Sequence, residues 1–153
     1  MKLTEVLTED LVKLGLEATT RDDAIRELVR LLAERGRIGG QDIEPLSEAM
    51  LRREHLGSTA IGRGVAVPHA KADCAARFMA AFGCSKAGIE FASVDGRPVH
   101  FVFLLASPPD SQRAHLKALA HISRLMTKQD LQARLMQAGN AAEVLRMIGD
   151  EET

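Results

Sequence analysis

Two histidines stand where an imidazole could act on a substrate. His69 follows Pro68 at the end of a strand-like run, VAVPH, which comes after a glycine-rich segment. Pro68 has a fixed φ and biases Val67 toward extended geometry, so the imidazole is displayed at the end of a strand. An imidazole titrates near neutral pH and can serve as a nucleophile or a general base, and functional side chains concentrate at such positions. A surface or hydrogen-bonded structural histidine explains the same position.

His115 lies near the start of a helix that is predicted after the proline pair at 108–109. Helix starts carry unpaired N–H groups and the positive end of the helix dipole, which favours a neutral imidazole and suits a nearby anion. An exposed helix residue is the alternative. His121 lies six residues on, roughly 120° around the helix, and is not expected to share a site with His115. His100 and His55 are interpreted as structural.

The glycine-rich segment GSTAIGRG, residues 57–64, could let backbone N–H groups approach an anion. It is not a P-loop, because no Gly-Lys-Ser/Thr opens a helix. A turn between helix and sheet explains the segment as well. A metal site of His69, His115 and Asp73 lacks support from any HExxH or CxxC pattern, and no Gly-x-Ser-x-Gly elbow marks a hydrolase. We therefore expect no metal.

Hydrophobic periodicity predicts the helices that must position these side chains. Thr20 and Asp23 approximate a capping box for a first helix that ends at Gly36. A second helix is predicted over residues 42–54, with Pro45 in its first turn, where a missing N–H costs little. The helix after the proline pair carries a predicted apolar stripe: Leu116, Leu119, Ala120, Ser123, Leu125 and Met126.

The rest of the chain divides into strands in the middle and helices at the end. Strands are predicted, in chain order, over residues 12–16, 65–67, 78–84 and 100–106. Two short helices are predicted over residues 130–137 and 141–148. Helices, then strands, then helices indicate an α/β fold, a sandwich in which helices cover a central sheet.

Composition limits the class of protein. The chain has 153 residues, of which 46% are hydrophobic and 27% charged, as expected for a single globular domain over residues 1–153. A net charge of −1 without a basic tract predicts no nucleic-acid partner. Cys74 and Cys84 fit no zinc or redox spacing and are expected to be reduced. No stretch resembles a signal peptide or a membrane span, so a cytoplasmic protein without direct membrane insertion is expected.

Two longer segments resemble one known family. REHLGSTAIGRGVAVPH runs from Arg53 to His69, and GIEFASVDGRPVHFVFLLASPPDSQRAHLKALAHISRLM runs from Gly88 to Met126. Both resemble the enzyme IIA domains of the bacterial phosphoenolpyruvate-dependent phosphotransferase system, of the mannitol, fructose and nitrogen-regulatory type. The resemblance covers nearly the whole chain. It implies a three-layer α/β/α sandwich with a central mixed sheet.

The resemblance also implies a role for each matching residue. His69 matches the histidine that the family phosphorylates on Nε2, Arg53 matches the arginine that contacts the phosphoryl group, and His115 matches a second histidine that hydrogen-bonds it. Ser58 and Thr59 match the phosphoryl-binding loop beside the site. No cofactor and no metal are implied, because the arginine, the second histidine and backbone N–H groups neutralise the charge.

Ala60 and Ala70 depart from a common form of the family pattern, in which glycine is frequent at both positions. Each change adds a methyl group. The change matters only where the backbone needs a positive φ.

The segment GIEFASVDGRPVHFVFLLASP most resembles the nitrogen-regulatory members of the family. That branch implies a phosphotransferase component with a covalent phosphohistidine, rather than a classical small-substrate enzyme. It would accept a phosphoryl group from a histidine phosphocarrier protein on His69 and regulate partners, such as sensor kinases or potassium transport proteins, by its phosphorylation state. One alternative is a free-standing enzyme IIA of a fructose- or mannitol-type sugar permease. Another is an interaction module that is never phosphorylated.

Overall fold

A mixed six-stranded sheet is the middle layer of the computed structural model, which describes residues 2–153. In chain order the strands are β1 (Val12–Lys13), β2 (Ala60–Gly62), β3 (Val65–Ala66), β4 (His69–Lys71), β5 (Met79–Ile89) and β6 (Val99–Ser107). Their order across the sheet is β1-β5-β6-β3-β2, and β4 also pairs with β6. The β5–β6 and β2–β3 pairs are antiparallel, whereas β1–β5, β3–β6 and β4–β6 are parallel.

Helices cover both sides of this sheet. They are α1 (Arg21–Glu34), α2 (Ile43–Leu56), α3 (Gln112–Leu125), α4 (Gln129–Gln137) and α5 (Ala141–Glu151). Short 3₁₀ helices lie at Leu3–Glu5, Glu9–Leu11 and Gly40–Asp42. α1 packs against α2, β5 and β6, while α4 packs against α5, which contacts β1. The predicted three-layer α/β/α sandwich with a mixed sheet is confirmed.

Both ends of α1 have the caps that the sequence predicts. Thr20 Oγ1 accepts a hydrogen bond from the Asp23 N–H at 3.2 Å. At the other end Gly36 has a φ of 75°, and the Arg37 N–H donates to the Leu32 carbonyl at 2.9 Å. A residue with a side chain would be strained at that φ, so glycine ends the helix there at low cost.

The central strand β6 organises the site end of the sheet. It pairs with β5 along one edge and with β3 and then β4 along the other, so that His69 lies opposite Leu105. Pro68 interrupts this edge because it has no N–H, although its carbonyl accepts from the Leu105 N–H at 2.9 Å. The predicted position of His69 at the end of the strand-like run VAVPH is wrong in part. The strand β3 ends at Ala66, and His69 is the first residue of the next strand, β4. The other three predicted strands are confirmed, with shifted ends.

The apolar stripe predicted for α3 is wrong in part. In the structure a different face of the helix points into the core, and its buried residues are His115, Ala118, Ile122 and Leu125. Leu116 is 58% exposed, and Ala120 and Ser123 are exposed as well, although Leu125 and Met126 are buried as predicted. Two faces of this helix carry aliphatic side chains, and periodicity cannot choose between them.

The two cysteines, Cys74 and Cys84, form no disulfide. Burial raises the pKa of each thiol, which favours the protonated and less reactive form.

From residue 2 to residue 153, no helix combines the length and the apolar character that crossing a bilayer requires.

Ser47 in α2 gives a test of the packing. Its side chain is fully buried, and its Oγ finds no hydrogen-bond partner within residues 2–153. Such a group loses its hydration without compensation, and alanine also has the higher helix propensity. We expect Ser47→Ala to raise the free energy of unfolding, measured by urea denaturation, by about 1 kcal/mol.

The matched control is Ser85→Ala. Ser85 is also buried, but its Oγ accepts a hydrogen bond from the Gly88 N–H at 3.1 Å. That substitution removes a partner and is expected to lower the stability by about 1 kcal/mol. A loss of stability in Ser47→Ala as large as in the control would contradict this description of α2.

Candidate active site

A cleft of about 570 Å³ opens between α2, β4 and α3. Its lining residues are Ala49, Arg52, Arg53, Leu56, His69, Ala70, Lys71, Gln112, His115, Leu116 and Leu119. The structure thus brings Arg53, His69 and His115 together from three separate elements. β4 runs beside the end of β6, and α3 begins shortly after β6 ends, which explains how residues far apart in the chain meet.

The His69 ring has one nitrogen bound to the backbone, and within residues 2–153 its other nitrogen has no hydrogen-bond partner. Nδ1 lies 2.8 Å from the Val67 carbonyl oxygen. A carbonyl only accepts, so Nδ1 carries the proton and the neutral ring keeps its lone pair on Nε2. Burial lowers the pKa of His69 and the charge of Arg53 adds to this, while the Val67 carbonyl and Glu54 act in the opposite direction. The result is a neutral imidazole with a nucleophilic Nε2 at pH 7.

His115 lies edge-on to His69, with 4.7 Å between the ring centroids and 69° between the ring planes. Its Nδ1 is 2.8 Å from the Oγ of Ser107, which is fully buried. Across the described chain that hydroxyl has no other partner, so its proton is directed at Nδ1, and His115 carries its own proton on Nε2. Burial lowers the pKa of His115 to about 4, and neighbouring His69, Lys71 and Arg53 act in the same direction. His115 is therefore a neutral N–H donor.

Positive charge surrounds the two neutral rings. Arg53 is in the last turn of α2, where its Nη1 donates to the Gly57 carbonyl at 2.7 Å. Lys71 Nζ donates to Gln112 Oε1 at 2.7 Å, and Arg52 lines the same cleft. The remaining guanidinium donors of Arg53 form a planar fork that matches two oxygens of a phosphoryl group. This arrangement suits a small dianion.

Ser58 and Thr59 do not line the cleft. Ser58 Oγ donates to the Phe91 carbonyl at 2.5 Å and accepts from the Ala60 N–H at 3.1 Å. Thr59 is buried, and its hydroxyl donates to the Glu54 carboxylate at 2.6 Å. These contacts anchor the loop between α2 and β2. A direct contact of either hydroxyl with a phosphoryl group stays a prediction.

The two alanines that replace a frequent glycine are accommodated. The non-glycine residues with positive φ in the described chain are Arg63 and Ala92, so neither Ala60 nor Ala70 needs that conformation. The added methyl groups are therefore tolerated without backbone strain.

The other histidines have partners outside the cleft. His121 Nε2 lies 2.6 Å from Glu152 Oε2, and His100 Nδ1 lies 2.8 Å from the Ser85 carbonyl. The prediction that His121 does not share the site of His115 is confirmed. No three His, Cys, Asp or Glu side chains of residues 2–153 are grouped so that they could hold a metal ion.

Three polar residues at the site were not singled out from the sequence. Glu54 recurs four residues after Met50, a core residue of α2, so helical periodicity marks it as inward-facing. Ser107 continues the apolar run of β6 by one residue and is buried. Lys71 follows His69 by two residues, and this spacing carries no signal of its own.

The sandwich fold with its mixed sheet is that of the enzyme IIA class. A family model described as "Phosphoenolpyruvate-dependent sugar phosphotransferase system, EIIA 2" matches residues 5–151, and the chain belongs to that family. The family resemblance seen in the sequence is thereby confirmed.

Relatives within the family come from two branches. The chain is 35% identical to the fructose-specific EIIABC component of Bacillus subtilis over 99% of its own length, but it spans 24% of that relative. It is 34% identical to the nitrogen regulatory protein of Bradyrhizobium diazoefficiens, covering 97% of this chain and 95% of that protein. The crystal structure of nitrogen regulatory protein IIA-Ntr from Neisseria meningitidis superposes with a TM-score of 0.85 at 27% identity, covering 95% of this chain and 98% of that one.

The depressed pKa of His115 gives a pH prediction. In the unfolded chain this histidine titrates near 6.5, and in the folded protein near 4. Between those values the unfolded state binds the extra proton, so the stability falls as the pH is lowered from about 6.5 to about 4. We expect the His115 imidazole to remain neutral at pH 5.5 in an NMR titration.

Urea denaturation supplies the matching thermodynamic measurement. The loss of stability between pH 7 and pH 5 should be smaller in His115→Gln, which cannot take up a proton, than in the wild type. A His115 titration midpoint at or above 6.5, with equal pH dependence in both proteins, would show that burial does not keep this ring neutral.

Proposed function

We propose that this chain is a phosphoryl carrier that accepts a phosphoryl group on Nε2 of His69 from a phosphorylated histidine phosphocarrier protein. The observation that carries the proposal is the hydrogen bond from Nδ1 to the Val67 carbonyl, which leaves Nε2 free in a positively charged cleft. Membership of the enzyme IIA family supports the same role. The proposal puts the chain in the cytoplasm, where phosphoenolpyruvate is made.

The chemistry needs only groups that the cleft provides and the donor itself. The Nε2 lone pair forms the new N–P bond while the N–P bond of the donor phosphohistidine breaks, and its electron pair returns to the donor imidazole. Positive charge develops on the His69 ring, where the Nδ1–H bond to the Val67 carbonyl stabilises it. The transition state is loose, so positioning and charge stabilisation provide most of the catalysis.

Arg53 and His115 would stabilise the transferred group. Arg53 offers two N–H donors in one plane, and His115 offers its Nε2–H because Ser107 occupies the other nitrogen. Neither group has to gain or lose a proton during transfer. This matches the neutral state that burial imposes on His115.

We place the chain in the nitrogen-regulatory branch, where the phosphorylation state would control partner proteins such as sensor kinases or potassium transport proteins. Support comes from the 34% identity to the nitrogen regulatory protein of Bradyrhizobium diazoefficiens and from the TM-score of 0.85 to IIA-Ntr of Neisseria meningitidis. The alternative is a sugar-permease enzyme IIA, which the fructose-specific relative favours at 35% identity. Donor proteins from the two branches, tested side by side, would separate these proposals.

His69→Ala tests the acceptor. After incubation with phosphoenolpyruvate, enzyme I and a histidine phosphocarrier, the wild type should gain one acid-labile phosphoryl group by intact mass, and the variant none. His55→Ala is the matched control, because His55 is a half-exposed histidine outside the cleft, and it should be labelled like the wild type. Label on the His69→Ala variant would move the acceptor to another residue. An unlabelled wild type would leave the unphosphorylated interaction module as the better explanation.

Arg53→Lys tests the fork. Lysine keeps the charge but loses the bidentate geometry, so we expect transfer to slow by about 10–100-fold. The unfolding free energy should fall by about 1 kcal/mol or less, since the hydrogen bond from Arg53 to the Gly57 carbonyl is exposed to solvent. Rapid-quench kinetics measure the rate, and Arg30→Lys on the exposed face of α1 is the control. Unchanged transfer kinetics would remove Arg53 from the mechanism.

A further inference from the structure

Glu54 is a buried acid beside the cleft that the chemistry above does not use. Its side chain is on α2, next to Arg53, and the residue is 1% exposed. Within the described chain it forms no ion pair. Burying a carboxylate without a cationic partner is costly, so its contacts need an explanation.

Both carboxylate oxygens of Glu54 bind one residue. Oε2 accepts from the Thr59 N–H at 2.7 Å, and Oε1 accepts from the Thr59 hydroxyl at 2.6 Å. The two contacts fix the position and the orientation of Thr59 relative to the last turn of α2. We call this pair of hydrogen bonds the Glu54–Thr59 clasp.

The clasp connects to His69 through the backbone. The Thr59 carbonyl accepts from the Val67 N–H at 3.1 Å, beside the last paired residues of the β2–β3 hairpin. The Val67 carbonyl in turn accepts from His69 Nδ1 at 2.8 Å. Val67 is therefore held at its N–H while its carbonyl selects the ring nitrogen that carries the proton.

We propose that Glu54 is a positioning residue for His69: through Thr59 and Val67, it holds the imidazole with Nδ1 bound to the backbone and Nε2 free for phosphorylation. The inference rests on the proposed function. Arg53 is the neighbour of Glu54 on the same helical turn, so one turn of α2 supplies the phosphoryl-binding fork and also sets the orientation of the nucleophile. This would keep the Arg53 guanidinium and the His69 imidazole in a fixed position relative to each other.

Substitutions at Glu54 separate geometry from charge. In Glu54→Gln the amide oxygen can still accept from the Thr59 N–H, and the amide nitrogen can donate to the Thr59 hydroxyl, so the clasp survives without its charge. Glu54→Ala removes both contacts. Glu48→Ala, an exposed acid on the same helix, is the matched control.

The first measurement is the ¹⁵N NMR spectrum of the His69 ring in the unphosphorylated protein, which reports the tautomer directly. We expect the Nδ1–H tautomer in the wild type, Glu48→Ala and Glu54→Gln, and a mixture of tautomers in Glu54→Ala. The second is the rate of transfer from a phosphorylated histidine phosphocarrier, expected to fall on the order of 10–100-fold in Glu54→Ala and to stay within about threefold in Glu54→Gln.

A folded Glu54→Ala protein with the wild-type tautomer and rate would overturn the proposal, and so would Glu54→Gln behaving like Glu54→Ala. If Glu54→Ala does not fold, Thr59→Val replaces it, because valine removes only the hydroxyl contact. A wild-type tautomer and rate in Thr59→Val would then overturn the proposal, whereas mixed tautomers and slower transfer support it. Failure of the wild type to accept phosphoryl groups contradicts the proposed function, but the tautomer measurement still decides the role of Glu54.

Discussion

The hydrogen bond from His69 Nδ1 to the Val67 carbonyl is the contact on which the rest of the site depends. A histidine offers two nitrogens, and the one that is not bound to the backbone is the one that can react. This contact requires Val67 to present its carbonyl outside the sheet ladder, which Pro68 makes possible by interrupting the pairing along β6. In the proposed mechanism, the break between β3 and β4 would therefore serve to orient His69.

The protonation states of the two histidines at the site depend on burial as much as on neighbouring charges. Two imidazoles are half-buried or buried beside Arg53 and Lys71, and burial keeps both neutral. A protonated His115 would add a positive charge beside Arg53 and Lys71, and the repulsion among these charges would destabilise the folded protein before an anion binds. In the proposed function the neutral His69 ring would be the nucleophile and the neutral His115 ring the hydrogen-bond donor, and the Ser107 hydroxyl distinguishes them by occupying Nδ1 of His115.

Much of this was accessible from the sequence, and the exceptions have physical causes. The caps of α1 at Thr20 and Gly36 and the buried strand β6 are predictable from the sequence, because each depends on residues that are close together in the chain. The buried face of α3 cannot be predicted from periodicity because two of its faces are aliphatic, and packing against the rest of the fold decides which one is buried. The hydroxyl partners of Ser58 and Thr59, the Phe91 carbonyl and the Glu54 carboxylate, are not predictable from the sequence, because no spacing encodes such a tertiary contact.

The most direct test of this account is the position of the phosphoryl group in the phosphorylated protein. Long-range ¹⁵N NMR with ³¹P coupling identifies the nitrogen that is bonded to phosphorus. The account predicts phosphorus on Nε2 of His69, with the Nδ1–H still bound to the Val67 carbonyl. Phosphorus on Nδ1 of His69, or on either nitrogen of His115, would contradict it.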